Sequence, residues 1–256
     1  MELVDTHCHL TYEPFAEIGG VIQRSRDAGV TGWITVGTDI TDSGKAVALA
    51  GKFENMFAAV AIHPHHAKSA DKQAIDELKR IARNKKVVAI GETGLDFHYD
   101  FSSREKQQDS FVRHLEIAAE LNLPVVIHSR EAFDETMKIL DSHRSDLKGV
   151  VFHCFSESVE QAKAVLEKGW FISLTGVVTF KNAEKTREVA KYVPLERLMI
   201  ETDAPYLSPE PMRKQKVNEP ALLIHTARFL AGLRGETLDN FASAVTAASS
   251  SFFGLH

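Results

Sequence analysis

Two cysteines in 256 residues leave nothing from which to build a disulfide framework. Cys8 and Cys154 read as small buried hydrophobes in a reduced chain, and a cytoplasmic location is expected. No apolar run approaches the ~18 to 20 residues that cross a bilayer. The opening MELVDTHCHL has neither the basic stretch nor the apolar core of a secretory signal. Basic residues are not in excess: 30 Lys and Arg against 35 Asp and Glu give a net charge of −5. That balance argues against a protein that coats duplex DNA along a basic face, and leaves local contacts with a strand end open. No Gly-rich phosphate loop of either nucleotide-binding type is present. Pro, Gly and Ser do not gather into a linker, so one domain over residues 1–256 is expected.

What is there is an alternation of short apolar runs with longer stretches of helical spacing. The apolar runs predict strands over Leu3–Leu10, Gly32–Gly37, Phe57–His63, Val87–Glu92, Pro124–Ser129, Gly149–Phe155, Trp170–Gly176 and Leu198–Thr202. Several, such as VVAIG and PVVIH, are nearly continuous hydrophobic runs, as in strands covered on both faces of a parallel sheet. Helical spacing predicts helices over Ile18–Ala28, Thr41–Lys52, Asp71–Asn84, Ser103–Leu121, Glu131–Ser142, Ser158–Lys168 and Asn182–Tyr192. Asp71, Ser102 or Ser103, and Ser158 are the candidate N-caps, and Gly29 and Gly169 the candidate stops. Eight strands alternating with helices predict a single (β/α)8 TIM barrel, with a doubly wound open sheet as the alternative.

The residues that carry chemistry fall where those strands end. Asp5, His7 and His9 sit two apart, which puts them on one face of the first strand. His63, Glu92, His128, His153 and Asp203 follow at the ends of strands three, four, five, six and eight. Only 12 histidines exist, and five of them (7, 9, 63, 128 and 153) hold such positions; scatter would place them over helices and loops. Barrel active sites are built at these strand ends. Mixed imidazole and carboxylate donors suit Zn, Mn, Fe or Mg, and there are too many for one tetrahedral structural ion. Two divalent ions sharing a carboxylate would make this a metal-dependent hydrolase of an ester, amide or phosphodiester.

The stretches DTHCHL, IHPHHA, GETGLDF, PVVIHSR, HCFS, ETDAPYL and NEP, in that order, resemble the TatD-type metal-dependent deoxyribonucleases of the amidohydrolase superfamily. The resemblance implies one ion held by His7, His9, Glu92 and Asp203, and a second by Glu92, His128 and His153, with Glu92 shared. It implies that Asp203 takes a proton from the attacking water, and that His63 and Arg130 contact the scissile phosphate. It also implies 3′–5′ exonuclease action on DNA, preferably single-stranded. Two positions depart from the family pattern. Val217 stands before NEP where many members carry a basic residue, with Arg213, Lys214 and Lys216 nearby. Ser249 stands in the C-terminal helix where asparagine is common.

Other features carry weaker expectations. His65 and His66 are candidate substrate contacts, while His98, His114, His143, His225 and His256 carry no role. Phe97, His98 and Tyr99 are candidates for packing on the rim or for stacking on a base. Asp5 and Asp96 are expected to orient imidazoles or a loop, and Glu201 to be structural. An amidase, esterase or deacylase of the same superfamily is the alternative activity, and a non-catalytic metal-binding barrel the third. The chain is expected to work as a monomer or weak homo-oligomer and without a membrane.

Overall fold

A computed structural model describes residues 2–255. It carries eight parallel strands in chain order, alternating with helices, which is the expected (β/α)8 fold. The strands are β1 (Leu3–Cys8), β2 (Val30–Gly37), β3 (Met56–Val60), β4 (Val87–Asp96), β5 (Val125–Arg130), β6 (Val150–Phe152), β7 (Phe171–Leu174) and β8 (Leu198–Ile200). The helices are α1 (Ile18–Asp27), α2 (Ile40–Ala50), α3 (Lys72–Ala82), α4 (Arg104–Leu121), α5 (Phe133–His143), α6 (Val159–Glu167), α7 (Glu184–Tyr192), α8 (Leu223–Arg234) and α9 (Leu238–Phe253). No helix among the described residues is long and apolar enough to cross a membrane. His256 lies outside the described residues.

The chain divides into two compact units: residues up to Thr35 together with Cys154 onward, and Val36–His153. In the first, β7 pairs with β8, and a parallel bridge from Cys8 to Ala204 sets the segment after β8 beside β1. Trp33 is fully buried there, with its indole N–H donating to Ser25 Oγ at 2.8 Å. In the second unit, β3 to β6 pair in succession. The Lys86 ammonium donates to the carbonyls of Phe53, Glu54 and Met56 at 3.1, 2.7 and 3.1 Å, satisfying three acceptors where the chain enters β3.

Local chemistry explains the helix ends. Asp71, Ser103 and Ser158 each accept from the backbone N–H three residues on, as N-caps do, and Ser158 with Gln161 completes a capping box. Gly29 and Gly169 follow α1 and α6 at φ +86° and +80°, a conformation costly for any side chain. α8 is absent from the seven expected helices. Its buried face includes Thr226, Ala227 and Ala231 beside Leu223, Ile224 and Leu230, so the apolar stripe is faint in the sequence.

β4 departs most from expectation. It runs four residues past Glu92, because Thr93–Asp96 pair with Ile127–Arg130 of β5 after a register shift. Glu92 therefore sits inside a strand rather than at its tip. Gly94, at φ +136°, makes the close approach possible: a Cβ there would lie 2.1 Å from the carbonyl oxygen of His128.

Candidate metal centre

In the first unit, backbone bonds between the end of β1 and the segment after β8 set the geometry. Asp203 N–H donates to His7 O at 2.9 Å, and His9 N–H to Ala204 O at 2.7 Å. Asp203 takes the left-handed conformation, φ +55°, that aspartate tolerates better than most residues. The result is a triangle of donors. His7 Nε2 and His9 Nε2 are 3.3 Å apart, and they lie 3.8 and 3.5 Å from Asp203 Oδ1. Ligand atoms about 2.0–2.2 Å from a tetrahedral ion stand roughly 3.3–3.6 Å apart. Two edges fall in that range and the 3.8 Å edge lies just beyond it, so donor chemistry and spacing both suit a shared cation.

The residues around the triangle hold it in place. Asp5 is fully buried and accepts from Thr202 N and Oγ1 at 2.9 and 2.5 Å, fastening the end of β8 rather than orienting an imidazole ring. Burial pushes its carboxyl up to about 7, against the opposing pull of those hydrogen bonds. Glu201 accepts from Cys154 N and Thr6 Oγ1, a structural role. Asn218 of the NEP motif donates from Nδ2 to Thr202 O and Tyr206 O at 2.9 and 2.6 Å, and Glu219 pairs with Arg24. The motif thus braces the loop that carries Asp203. Tyr12 stacks on His9 at 5.0 Å, and Tyr206 meets both rings edge-on. Tyr12 has no signal in the sequence, and Tyr206 falls within ETDAPYL with no role read for it, because their contacts arise only once the loops are placed.

The second unit gathers imidazoles around one buried carboxylate. Glu92 Oε1 is 2.5 Å from His128 Nδ1, 2.8 Å from His153 Nε2 and 3.4 Å from His63 Nε2. His63, Glu92 and His128 each offer a donor atom close enough to the other two to share an ion. Burial alone would raise the Glu92 carboxyl, but attraction to His153, His63 and His128 overrides it and holds the group well below the ordinary range. For His128, burial opposes the charge, and the two carboxylates it contacts raise its pKa on balance. For His63, burial prevails and the imidazole falls to about 4.

Asp96 orients this group as expected. Its Oδ2 lies 2.8 Å from His65 Nε2 and 3.0 Å from His128 Nε2, while Oδ1 accepts the backbone N–H groups of His98 and Tyr99. His66 is exposed, and Arg130 is exposed with its guanidinium over the Tyr99 ring. His114 has a role that sequence reading missed. Its Nε2 accepts Ile62 N–H at 2.9 Å and its Nδ1 donates to Ser110 O at 2.7 Å, fixing the backbone that leads to His63. Of the remaining features, Arg213 lies over Phe180, Lys214 and Lys216 are exposed, and Ser249 is buried, donating to Val245 O within α9. Neither cysteine is in a disulfide; Cys8 is buried as expected, whereas Cys154 is only half-buried, with its Sγ 3.7 Å from Thr175 Oγ1.

Histidine–carboxylate clusters in and just past the strands of a (β/α)8 sheet define a metal-dependent hydrolase. The chain belongs to the TatD related DNase family, whose sequence pattern matches residues 4–254. It is 38% identical over 250 residues to the uncharacterized metal-dependent hydrolase YcfH of Escherichia coli K12, covering 96% of this chain and 93% of that protein. It is 36% identical over 259 residues to the 3′–5′ ssDNA/RNA exonuclease TatD of Erwinia amylovora, covering 99% and 100%. The crystal structure of YjjV, a TatD homolog from Escherichia coli K12, superposes with a TM-score of 0.93 at 32% identity, covering 99% of this chain and 98% of that one.

Proposed function

We propose that this protein is a metal-dependent deoxyribonuclease that removes nucleotides from the 3′ ends of single-stranded DNA. The observation that carries the reading is the donor set itself: the His7–His9–Asp203 triangle spaced at 3.3 to 3.8 Å, and the Glu92 carboxylate with three imidazoles about it. Family membership supports one catalytic domain over 1–256 in which both clusters serve a single reaction. In this reading His7, His9, Glu92 and Asp203 hold one divalent ion, and Glu92, His128 and His153 a second, with Mg, Mn or Zn as the metals. Bound there, such a pair lowers the pKa of a water and offsets the charge that develops on a phosphodiester.

The chain's own groups do the rest. Asp203 accepts the proton of the attacking water as its oxygen bonds to phosphorus, and returns it to the departing 3′ oxygen of the shortened strand as the P–O bond to that oxygen breaks. Arg130 and His65 orient the phosphate, with His63 beside them. Asp96 keeps His128 and His65 in fixed orientation through its 3.0 and 2.8 Å contacts. Two cysteines outside any disulfide fit a cytoplasmic enzyme, acting as a monomer or weak homo-oligomer.

The test is metal analysis of purified protein, followed by assays with Mg, Mn and Zn on labelled DNA with defined single- and double-stranded ends. Release of mononucleotides from single strands, lost in His128→Ala and Asp203→Asn, is the expected result. Full nuclease activity in those variants, or turnover of acyl esters or amides with no release from DNA, overturns the reading.

A further inference from the structure

The loop between β4 and α4 exposes apolar surface next to the Glu92 cluster. Large hydrophobic side chains that stand out into water include Tyr99, Phe101, Tyr192, Tyr206 and Met212. Tyr99 and Phe101 belong to this one loop and stack on each other, 5.4 Å between centroids at 26°. Packing on the rim is not enough to explain them, since Tyr99 is 41% and Phe101 55% exposed.

Their surroundings are specific. His65 meets Tyr99 and Phe101 edge-on at 5.4 and 4.8 Å. The backbone N–H of Tyr99 donates to Asp96, the same carboxylate that contacts His128. One acidic side chain therefore ties the aromatic loop to a ligand imidazole. The Arg130 guanidinium lies 4.8 Å from the Tyr99 ring centroid, so a cation flanks the rings.

A stacked, half-exposed aromatic pair with a cation over one ring matches one chemistry well: a nucleobase joined to an anionic phosphate. We propose that Tyr99 and Phe101 form a stacking platform for a base next to the phosphodiester under attack, with Arg130 taking a phosphate oxygen. The proposal rests on the nuclease reading above and deepens it. Every base has a π-face, so the platform tolerates any sequence. A base stacked and paired in a duplex has no free face to offer, so the platform selects unpaired ends.

The experiment uses the metal-loaded protein and a fluorescent single strand with phosphorothioate linkages that resist cleavage, read by anisotropy. Phe101→Ala and Tyr99→Ala are expected to weaken binding about tenfold each. Phe101→Trp should keep the affinity, and its indole emission should be quenched by the strand; Trp33 and Trp170 are buried and supply a constant background. A second strand whose last three nucleotides lack bases should bind the wild type weakly and lose nothing further in Phe101→Ala. Equal affinity of Phe101→Ala for the intact strand, an equal loss on the base-free strand, or no quenching in Phe101→Trp each overturns the platform. Base-dependent binding without nucleotide release from ordinary DNA would sink the nuclease reading and leave the platform standing. Nucleotide release with no dependence on the terminal bases does the reverse.

Discussion

The His7–His9–Asp203 triangle and the Glu92 cluster draw on the same side-chain types but hold them differently. In the cluster, one carboxylate pulls His128 to 2.5 Å and His153 to 2.8 Å, hydrogen-bond distances at which protons and protein charges offset one another. In the triangle, the donors keep edges of 3.3, 3.5 and 3.8 Å, set by backbone bonds and by the rings of Tyr12 and Tyr206. A cation entering the triangle meets donors already spread for it. A cation entering the cluster competes with a proton on His128, whose charged form Glu92 and Asp96 favour. Rigid placement and electrostatic attraction are thus two routes to the same kind of donor set.

Activity is the sharpest way to break this comparison. Asp203→Asn in the triangle and His128→Ala in the cluster should each lower hydrolysis of single strands by about a thousandfold, measured as initial mononucleotide release. If only one of the two is crippled, the other cluster is not part of the reaction.

Metal removal gives the next largest effect. Chelation should cost about 5 kcal/mol if both sites are held near a hundredfold above their dissociation constants, a fall of roughly 10–20 °C in Tm. Each variant should lose part of that shift in calorimetry. A variant that keeps all of it removes its cluster from metal binding.

His114 sharpens the comparison further, because it scaffolds the cluster side alone. His114→Ala strips the acceptor from a buried N–H at Ile62 and should cost about 2 kcal/mol in urea unfolding at pH 7. Burial lowers the His114 imidazole from its usual 6.5 to about 4. The unfolded chain therefore binds the extra proton between those values, and stability present above pH 6.5 is lost as pH falls toward 4. The wild-type urea midpoint should drop across that window, and His114→Ala should flatten this part of the slope. The smallest effect is expected at Ser158→Ala, which removes the capping box of α6 at about 1 kcal/mol and leaves hydrolysis unchanged.

The parts legible in the sequence are those fixed by local pattern. Near-continuous runs such as VVAIG and PVVIH identify buried parallel strands, and the 7/9 spacing identifies a histidine pair that converges on Asp203. Strand limits are less legible, since they depend on the neighbour: β4 continues to Asp96 only because Gly94 lets Thr93–Asp96 lie against β5. Partners distant in the chain are legible only where the motifs name them. Asp96 reads as a residue that orients imidazoles, but its two partners follow from tertiary structure, His128 from the pairing of β4 with β5 and His65 from its loop, as do the stacking of Tyr99 on Phe101 and the bond from Ile62 to His114 in α4.

Position 94 shows that a reactive group can be located by an atom that is missing. A methyl group added there meets the His128 carbonyl at 2.1 Å, and the neighbouring strand would have to retreat by roughly 1 Å to reach ordinary carbon–oxygen separation. That retreat carries the His128 ring away from Glu92, over a contact only 2.5 Å long. Vulnerability of the enzyme therefore extends to a site with no functional group of its own, where emptiness is the working part.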